Sequence, residues 1–454
     1  MQLKSVALYL LALSIVITLL AAPGTAGSAL AADSVRVVVA RTENSVEFAA
    51  ANGGQVVEQA TGRVVAAVGA AERWQVEQRE GRLFLYGAGQ SYGPFSGTLA
   101  LRASSDTVQL VAEGGYLIDA PSLAGLSALA AGGNLVNLTA QDRVQALSAT
   151  GRSELTASAG LNLITLSSAG YSYRYRGEML FLVQEDLLLA VNRLDLEDYL
   201  RGVVASEMPS TWPEEALKAQ AVASRTYALQ RAGEARNEAY DLTGDQYSQM
   251  YTGYDGEVPA TNQAIQATAG VVLRYNGEPI QAFFHSSSGG FTENSEDVWL
   301  DPLPYIKAKI DPYDLNENHY NWQVTYNPGQ LLERLADYGE FNSITDLNCT
   351  YTASGARIRE MTVSGLDYAN NPLEIKIANA DRVRAALGLK SALVTVDKTY
   401  GLDNRLAWVS FSGSGFGHGL GMSQYGARGM ALLGYDYREI LQYYFTDITL
   451  TGAY

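Results

Sequence analysis

A single cysteine in 454 residues, Cys349, excludes an intrachain disulfide, so packing alone must hold the fold. Its neighbours Leu347-Asn348-Cys349-Thr350-Tyr351 read as a strand, which makes Cys349 a small core residue rather than a nucleophile. Charged residues are scarce at 18%, and acids outnumber bases for a net charge of -16. With no Lys/Arg run to offset that charge locally, a phosphate backbone is repelled and nucleic acid is not an expected partner. The chain also lacks a G-x-G-x-x-G turn and a Lys-Ser or Lys-Thr phosphate loop, which argues against nucleotide binding. No repeat of solenoid or propeller period is visible.

What is present is apolar: 47% of residues are hydrophobic, ample for a core and incompatible with disorder as the main state. Lys4 precedes an apolar run over residues 6–22, and a small-residue stretch leads to Ala31-Ala32-Asp33. That is the layout of an export signal over residues 1–32; left uncleaved, the same run is long enough for an N-terminal anchor. No later segment is apolar for long enough to span a bilayer.

Residues 33–190 alternate apolar and polar positions in short runs broken by Gly, Asn and Ser, which predicts a β-rich N-terminal region. Between 120 and 170 the composition shifts to Ala, Ser, Leu and Gly, which fits weak strands, an insertion or a connection. From Asp195 the period becomes helical, with Leu196, Tyr199, Leu200, Val203 and Val204 on one stripe and Pro209 ending the helix. A second helix is expected to begin with Pro213 at its first position and run to about Arg231. A hairpin is expected over 271–284 around Asn276-Gly277, then a helix over 422–433, then a last helix opened by the Asp436/Glu439 capping box. The predicted class is α+β: the β-rich region, then a mixed α/β region over 191–454 with two consecutive helices, a β-hairpin and C-terminal helices.

One acid stands out. Glu207 falls on the apolar stripe of its own helix, four residues after Val203 and seven after Leu200, where partial desolvation raises a carboxyl pKa. A general acid needs that property near neutral pH; a helix-end glutamate turned to solvent fits the same spacing. His285-Ser286-Ser287-Ser288-Gly289-Gly290 offers hydroxyls and little bulk, as a turn or as a surface for sugar hydroxyls. A second glycine-rich loop surrounds His418 between Gly413 and Gly421. Together with His319, the two loop histidines complete the chain's set of three imidazoles, whose non-local spacing matches no metal motif.

The run from Leu196-Glu197-Asp198-Tyr199-Leu200 to Ser206-Glu207-Met208-Pro209 resembles the signature of the stage II sporulation protein D (SpoIID/LytB) family. So do Glu215-Ala216-Leu217-Lys218-Ala219-Gln220-Ala221-Val222-Ala223-Ser224-Arg225-Thr226-Tyr227, the 285–290 loop, and Gly417-His418-Gly419-Leu420-Gly421-Met422-Ser423-Gln424-Tyr425-Gly426-Ala427, in the same order. The resemblance implies a lytic transglycosylase domain over 191–454 that acts on peptidoglycan glycan strands, preferring those stripped of peptides. It implies Glu207 as the catalytic acid and Gln220, Arg225, Tyr227, His285, Ser286, Ser288, His418, Ser423 and Gln424 as substrate-binding residues. Arg225 is the candidate to orient the lactyl carboxylate. Implied partners are the glycan strands, a peptidoglycan amidase and membrane-anchored sporulation proteins. Some members bind zinc through cysteines after the second helix; residues 241–254 hold none here, so no metal and no cofactor is expected.

Three alternatives remain beside that reading: a non-catalytic wall-binding protein that stimulates an amidase, a muramidase pairing Glu207 with Glu293 or Asp297, and a zinc hydrolase using the histidines.

Overall fold

The computed structural model describes residues 34–104, 161–236, 238–299, 301–314, 319–402 and 405–452, together with the backbone of the strands between 108 and 159. The segment read as an export signal lies outside the described residues. Among the described residues no helix is long and apolar enough to cross a membrane. Contacts divide the chain into two compact units that part between Asp195 and Leu196, with Val35–Val37 counted in the second.

The first unit is built of antiparallel sheets. One runs Tyr171–Tyr175, Ile164–Ser168, Ser45–Ala50, Trp74–Arg79, Arg82–Gly87 and Gln90–Phe95 in spatial order. Another contains Leu187–Asp195, Glu178–Gln184, Leu99–Ala103, Gly54–Glu58 and Val64–Val68 as successive neighbours. Period-two alternation decides which side chains go inside: Val46, Phe48 and Ala50 are buried from one strand, Leu83 and Leu85 from another. Phe48 and Phe181, from the two sheets, meet with ring centroids 5.2 Å apart. The Ala/Ser-rich stretch resolves into strands, including the pair Arg143–Ser148 and Gly151–Ala159.

The second unit opens with α1 (Leu196–Glu207), which buries Leu196, Tyr199, Leu200, Val203 and Val204, the stripe expected from the spacing. Next comes α2 (Glu214–Glu234). Pro213 sits just outside it as the cap residue with extended geometry, and the helix runs three residues beyond Arg231. Its alanines Ala216, Ala219, Ala221, Ala223 and Ala228 are all buried, so small side chains let other elements approach closely. The third helix, α3 (Pro259–Ala267), leads to strand Val271–Tyr275.

The Asn276-Gly277 turn is present with positive φ at both residues, 50° and 88°, as a two-residue hairpin of this hand requires. The returning strand, however, stops at Pro279 instead of reaching Phe284. Proline brings no N–H to a ladder, and the chain then turns inward, so Phe284–His285 pairs in parallel with Met422–Ser423.

After the short α4 (Ser295–Val298), an excursion of strands and helices forms its own apolar core. It contains the sheet Trp322–Tyr326, Leu406–Gly413, Val394–Tyr400 and the sheet Phe341–Tyr351, Ile358–Asp367, Pro372–Ala378. Helices α5 (Pro328–Leu335) and α6 (Ala380–Leu387) cover them with Leu331, Leu335, Val383 and Leu387. Cys349 packs half-buried here, and burial pushes its thiol up to about 11, which leaves it unreactive.

The chain ends with α7 (Gln424–Leu432) and α8 (Tyr437–Tyr444). The first starts two residues later than its apolar pattern suggests, because Met422 and Ser423 are spent on the parallel pair and Ser423 caps the helix. The capping box at Asp436 and Glu439 is formed on both sides.

Candidate functional site

Glu207 is the last residue of α1 and is half-buried. Its carboxylate Oε1 accepts a hydrogen bond from the Met250 backbone N–H at 2.8 Å. That donor is held in place from below: the buried Tyr199 hydroxyl donates to Gln249 Oε1, and the Tyr199 and Tyr251 rings lie 5.1 Å apart. Gly202 makes the approach feasible, since a Cβ there would sit 2.7 Å from the Tyr251 ring and 2.8 Å from the Gly253 carbonyl. Burial raises the Glu207 pKa above the ordinary carboxylate range, with the Met250 N–H and Gln424 pulling the other way. The sequence offers no direct sign of Met250, because a backbone donor has no residue signature.

Gln424 ties this corner together. Its Nε2 donates to the Glu207 carbonyl at 3.0 Å and to Gln220 Oε1 at 3.3 Å, while Gln220 Nε2 donates to Ser224. Both glutamines are buried. Gln220 therefore orients Gln424 from inside the protein and is not a surface that a substrate touches. Tyr227 is half-buried and its ring faces Phe283, with centroids 6.0 Å apart.

Arg225 has a different position from the one its resemblance implies. Its side chain is fully buried, with Nε and Nη2 donating to the two carboxylate oxygens of Glu197 at 2.6 and 2.8 Å and further bonds to the Val271 and Ile265 carbonyls. A guanidinium with four hydrogen bonds to three residues inside the protein is not available to a lactyl carboxylate. It joins α1, α2 and the segment after α3.

The serines of the 285–290 loop also turn inward. Ser288 Oγ lies 2.8 Å from Asp311 Oδ2 and 3.0 Å from Asp314 Oδ2, and Ser287 and Ser423 both donate to Asp314 Oδ2. One hydroxyl cannot donate to two acceptors at once, and desolvation raises the Asp311 pKa to about 6. Ser288 and Ser423 thus brace the loops on a buried carboxylate pair that the sequence reading did not single out. Asp311 and Asp314 lie in a loop without helical or strand periodicity, so no pattern marked them. Ser286 is half-buried, and its carbonyl accepts the Tyr425 N–H at 3.0 Å.

The structure does bring the two histidine loops together: the His285 and His418 rings are 5.4 Å apart, with Trp299 5.1 Å from His418. His285 Nδ1 is 3.1 Å from the Leu420 carbonyl, and His418 Nδ1 accepts the Leu420 N–H at 3.0 Å. Through Leu420 these contacts tie the two histidine loops to each other. Burial holds His285 well below the usual imidazole range and brings His418 to about 4. Among the described residues no group of His, Cys, Asp or Glu is arranged to hold a metal ion.

A neutral ring favoured by the fold has a measurable consequence. The stability it contributes is complete above 6.5, the ordinary imidazole value, and is lost as pH falls toward about 4. Replacing His418 by Gln removes that dependence. The unfolding free energies of parent and variant are expected to converge by on the order of 2–3 kcal/mol over this window in denaturant titrations; a constant difference would overturn the assignment.

The remaining acids are occupied. Glu293 is buried and accepts from the Thr352 and Ser354 hydroxyls, and Asp297 is buried with Asn294 and Arg359 as partners. Next to Gln424, which bonds the Glu207 carbonyl, Tyr425 meets Trp212, in the turn after α1, edge-on at 4.8 Å. Tyr425 is 6.2 Å from His319, and His319 is 4.9 Å from Phe416, which is 42% exposed.

Residues 184–275, which contain α1, α2 and Glu207, match the family described as Stage II sporulation protein, and residues 303–421 match a domain of unknown function, DUF8618. The chain is 31% identical to Stage II sporulation protein D of Bacillus subtilis (strain 168), covering 58% of this chain and 76% of that protein. It is 30% identical to the protein of the same name from Bacillus amyloliquefaciens, with the same coverage. It is 33% identical to the Amidase enhancer of Bacillus subtilis (strain 168), over 56% of this chain but only 40% of that longer protein's length. The chain belongs to the SpoIID/LytB family.

Proposed function

We propose that this protein cleaves peptidoglycan glycan strands as a lytic transglycosylase at the cell wall, with Glu207 acting first as acid and then as base. The observation that carries the reading is a half-buried carboxyl of raised pKa at the end of α1, where Gln424 bonds the Glu207 carbonyl and the next residue, Tyr425, pairs its ring with Trp212, aromatic faces suited to sugars. With Oε1 engaged by the Met250 N–H, the proton sits on Oε2. It passes to the glycosidic oxygen as the C1–O bond breaks. The 6-hydroxyl of the same muramic acid then bonds to C1 and returns its proton to Glu207, so the acid is regenerated and no water is consumed. Hydrolysis would need a second carboxylate, and Glu293 and Asp297 are committed elsewhere.

The second reading is a wall-binding protein that stimulates an amidase, and the printed name of one relative, Amidase enhancer, favours it. Incubating the exported chain with peptide-free and with intact strands, alone and with an amidase, separates the two. The transglycosylase reading expects 1,6-anhydro ends, lighter than hydrolysis products by one water in mass spectra, without amidase present. Stimulation of the amidase with no cut strands would instead support the binding role.

A further inference from the structure

Within the excursion, a groove of about 640 Å³ is bounded by the edge of the Trp322–Tyr326 and Val394–Tyr400 sheet and the 351–356 turn. We propose that this groove is a second glycan-binding site, which grips the uncharged face of a β-1,4-linked N-acetylhexosamine strand away from Glu207. The inference extends the glycan-strand reading of function and rests on it.

The lining is the first argument. In a protein whose charge is -16, not one of the twelve residues around the groove is charged. Trp322 and Tyr351 supply aromatic faces, while Asn321, Gln323, Thr395 and Ser412 supply amides and hydroxyls. Rings with neutral donors and acceptors suit sugars, whose C–H faces stack and whose hydroxyls need uncharged partners. The size falls within the range of small-ligand clefts.

The wall is also built rather than incidental. The Trp322 indole lies against Gly413, where any Cβ would come within 2.4 Å of the ring, and its Nε1 donates to the Gly415 carbonyl at 3.0 Å. Indole and glycine strand together make a fixed flat face. Tyr351 lines the same groove and is 40% exposed.

Continuity is the third argument. The backbone that lines the groove at Gly413 and Ser414 continues through Phe416 to Gln424 and Tyr425, the residues beside Glu207. Gly415 accepts the Trp322 indole N–H on its carbonyl and donates its own N–H to the His319 carbonyl, so the groove adjoins the Phe416–His319–Tyr425–Trp212 series of rings. A strand held at one end of that series is presented to the acid at the other.

The test uses the full exported chain carrying Glu207→Gln to prevent turnover, titrated calorimetrically with an uncharged N-acetylglucosamine oligomer and with peptide-free strands. Tyr351→Ala removes a stacking face and Ala356→Phe fills the groove from its turn; both positions lie outside strand interiors of the core. Each is expected to weaken binding of both probes about tenfold with an unchanged melting temperature. Unchanged affinity in both folded variants overturns the groove while leaving the cleavage reading intact. Failure of the background protein to bind either probe also overturns it, and the cleavage reading falls with it only if the chain with Glu207 intact releases no anhydro ends.

Discussion

If Glu207 is the proposed general acid, Glu207→Gln is expected to lower the rate of strand cleavage by about a hundred- to ten-thousandfold, the usual contribution of such a group, with little change in affinity for the strand. Glutamine keeps the shape of the side chain and still accepts the Met250 N–H through its carbonyl, but it has no proton to give. The same variant gains stability at neutral pH. A carboxyl whose folded pKa is raised is protonated more readily in the folded state than in the unfolded one, so its burial costs most where it is ionised. The gain is therefore full above the folded pKa and disappears as pH falls through it to the ordinary carboxylate value. Mass-resolved product assays and denaturant titrations across pH read both effects. A variant that cuts at the parent rate would sink the acid assignment, and a gain that grows on acidification would show that Glu207 is not held protonated by burial.

This opposition of activity and stability marks Glu207 apart from the other polar residues of the unit. Arg225, Ser288 and Ser423 spend their hydrogen bonds on bracing the protein, whereas the Glu207 carboxyl is held in a position where burial disfavours its charge. The two glutamines stand between these extremes. Gln424 binds the Glu207 carbonyl and Gln220 binds Gln424, so both set the end of α1.

Helical periodicity and capping chemistry are local, and the elements they specify were legible: the apolar stripe of α1, the Asn276-Gly277 turn and the capping box of α8 all occur where the residues indicate. The desolvation of Glu207 was legible for the same reason, being a property of its helix face. Long-range pairing was not. The parallel bridge between Phe284–His285 and Met422–Ser423 joins segments far apart in the chain, shortens the expected hairpin strand and delays α7. Direction of polar side chains was equally hidden. A serine-rich loop fits a sugar surface or an inward brace, and only the position of Asp311 and Asp314 decides for the brace.

Arg225→Lys is the substitution that separates residue type from role most sharply. It keeps a positive charge but cannot supply both bonds to Glu197 together with those to the Val271 and Ile265 carbonyls. Breaking a buried, hydrogen-bonded ion pair costs about 3–5 kcal/mol when one partner is removed, and Arg225→Leu, which strands Glu197, is expected in that range. The lysine variant retains part of the pair and falls below it. Replacing both partners, Arg225→Leu with Glu197→Leu, recovers much of the loss because no charge is left without its mate. Urea titrations of the single and double variants give the coupling directly. The functional readout is KM for peptide-free strands, measured on the folded lysine variant at low temperature. A residue that bound the lactyl carboxylate would raise KM when its bidentate fork is lost, whereas a brace among α1, α2 and the strand after α3 changes melting and leaves KM where it was. The second outcome is expected, and a raised KM in a fully folded protein would return Arg225 to the substrate.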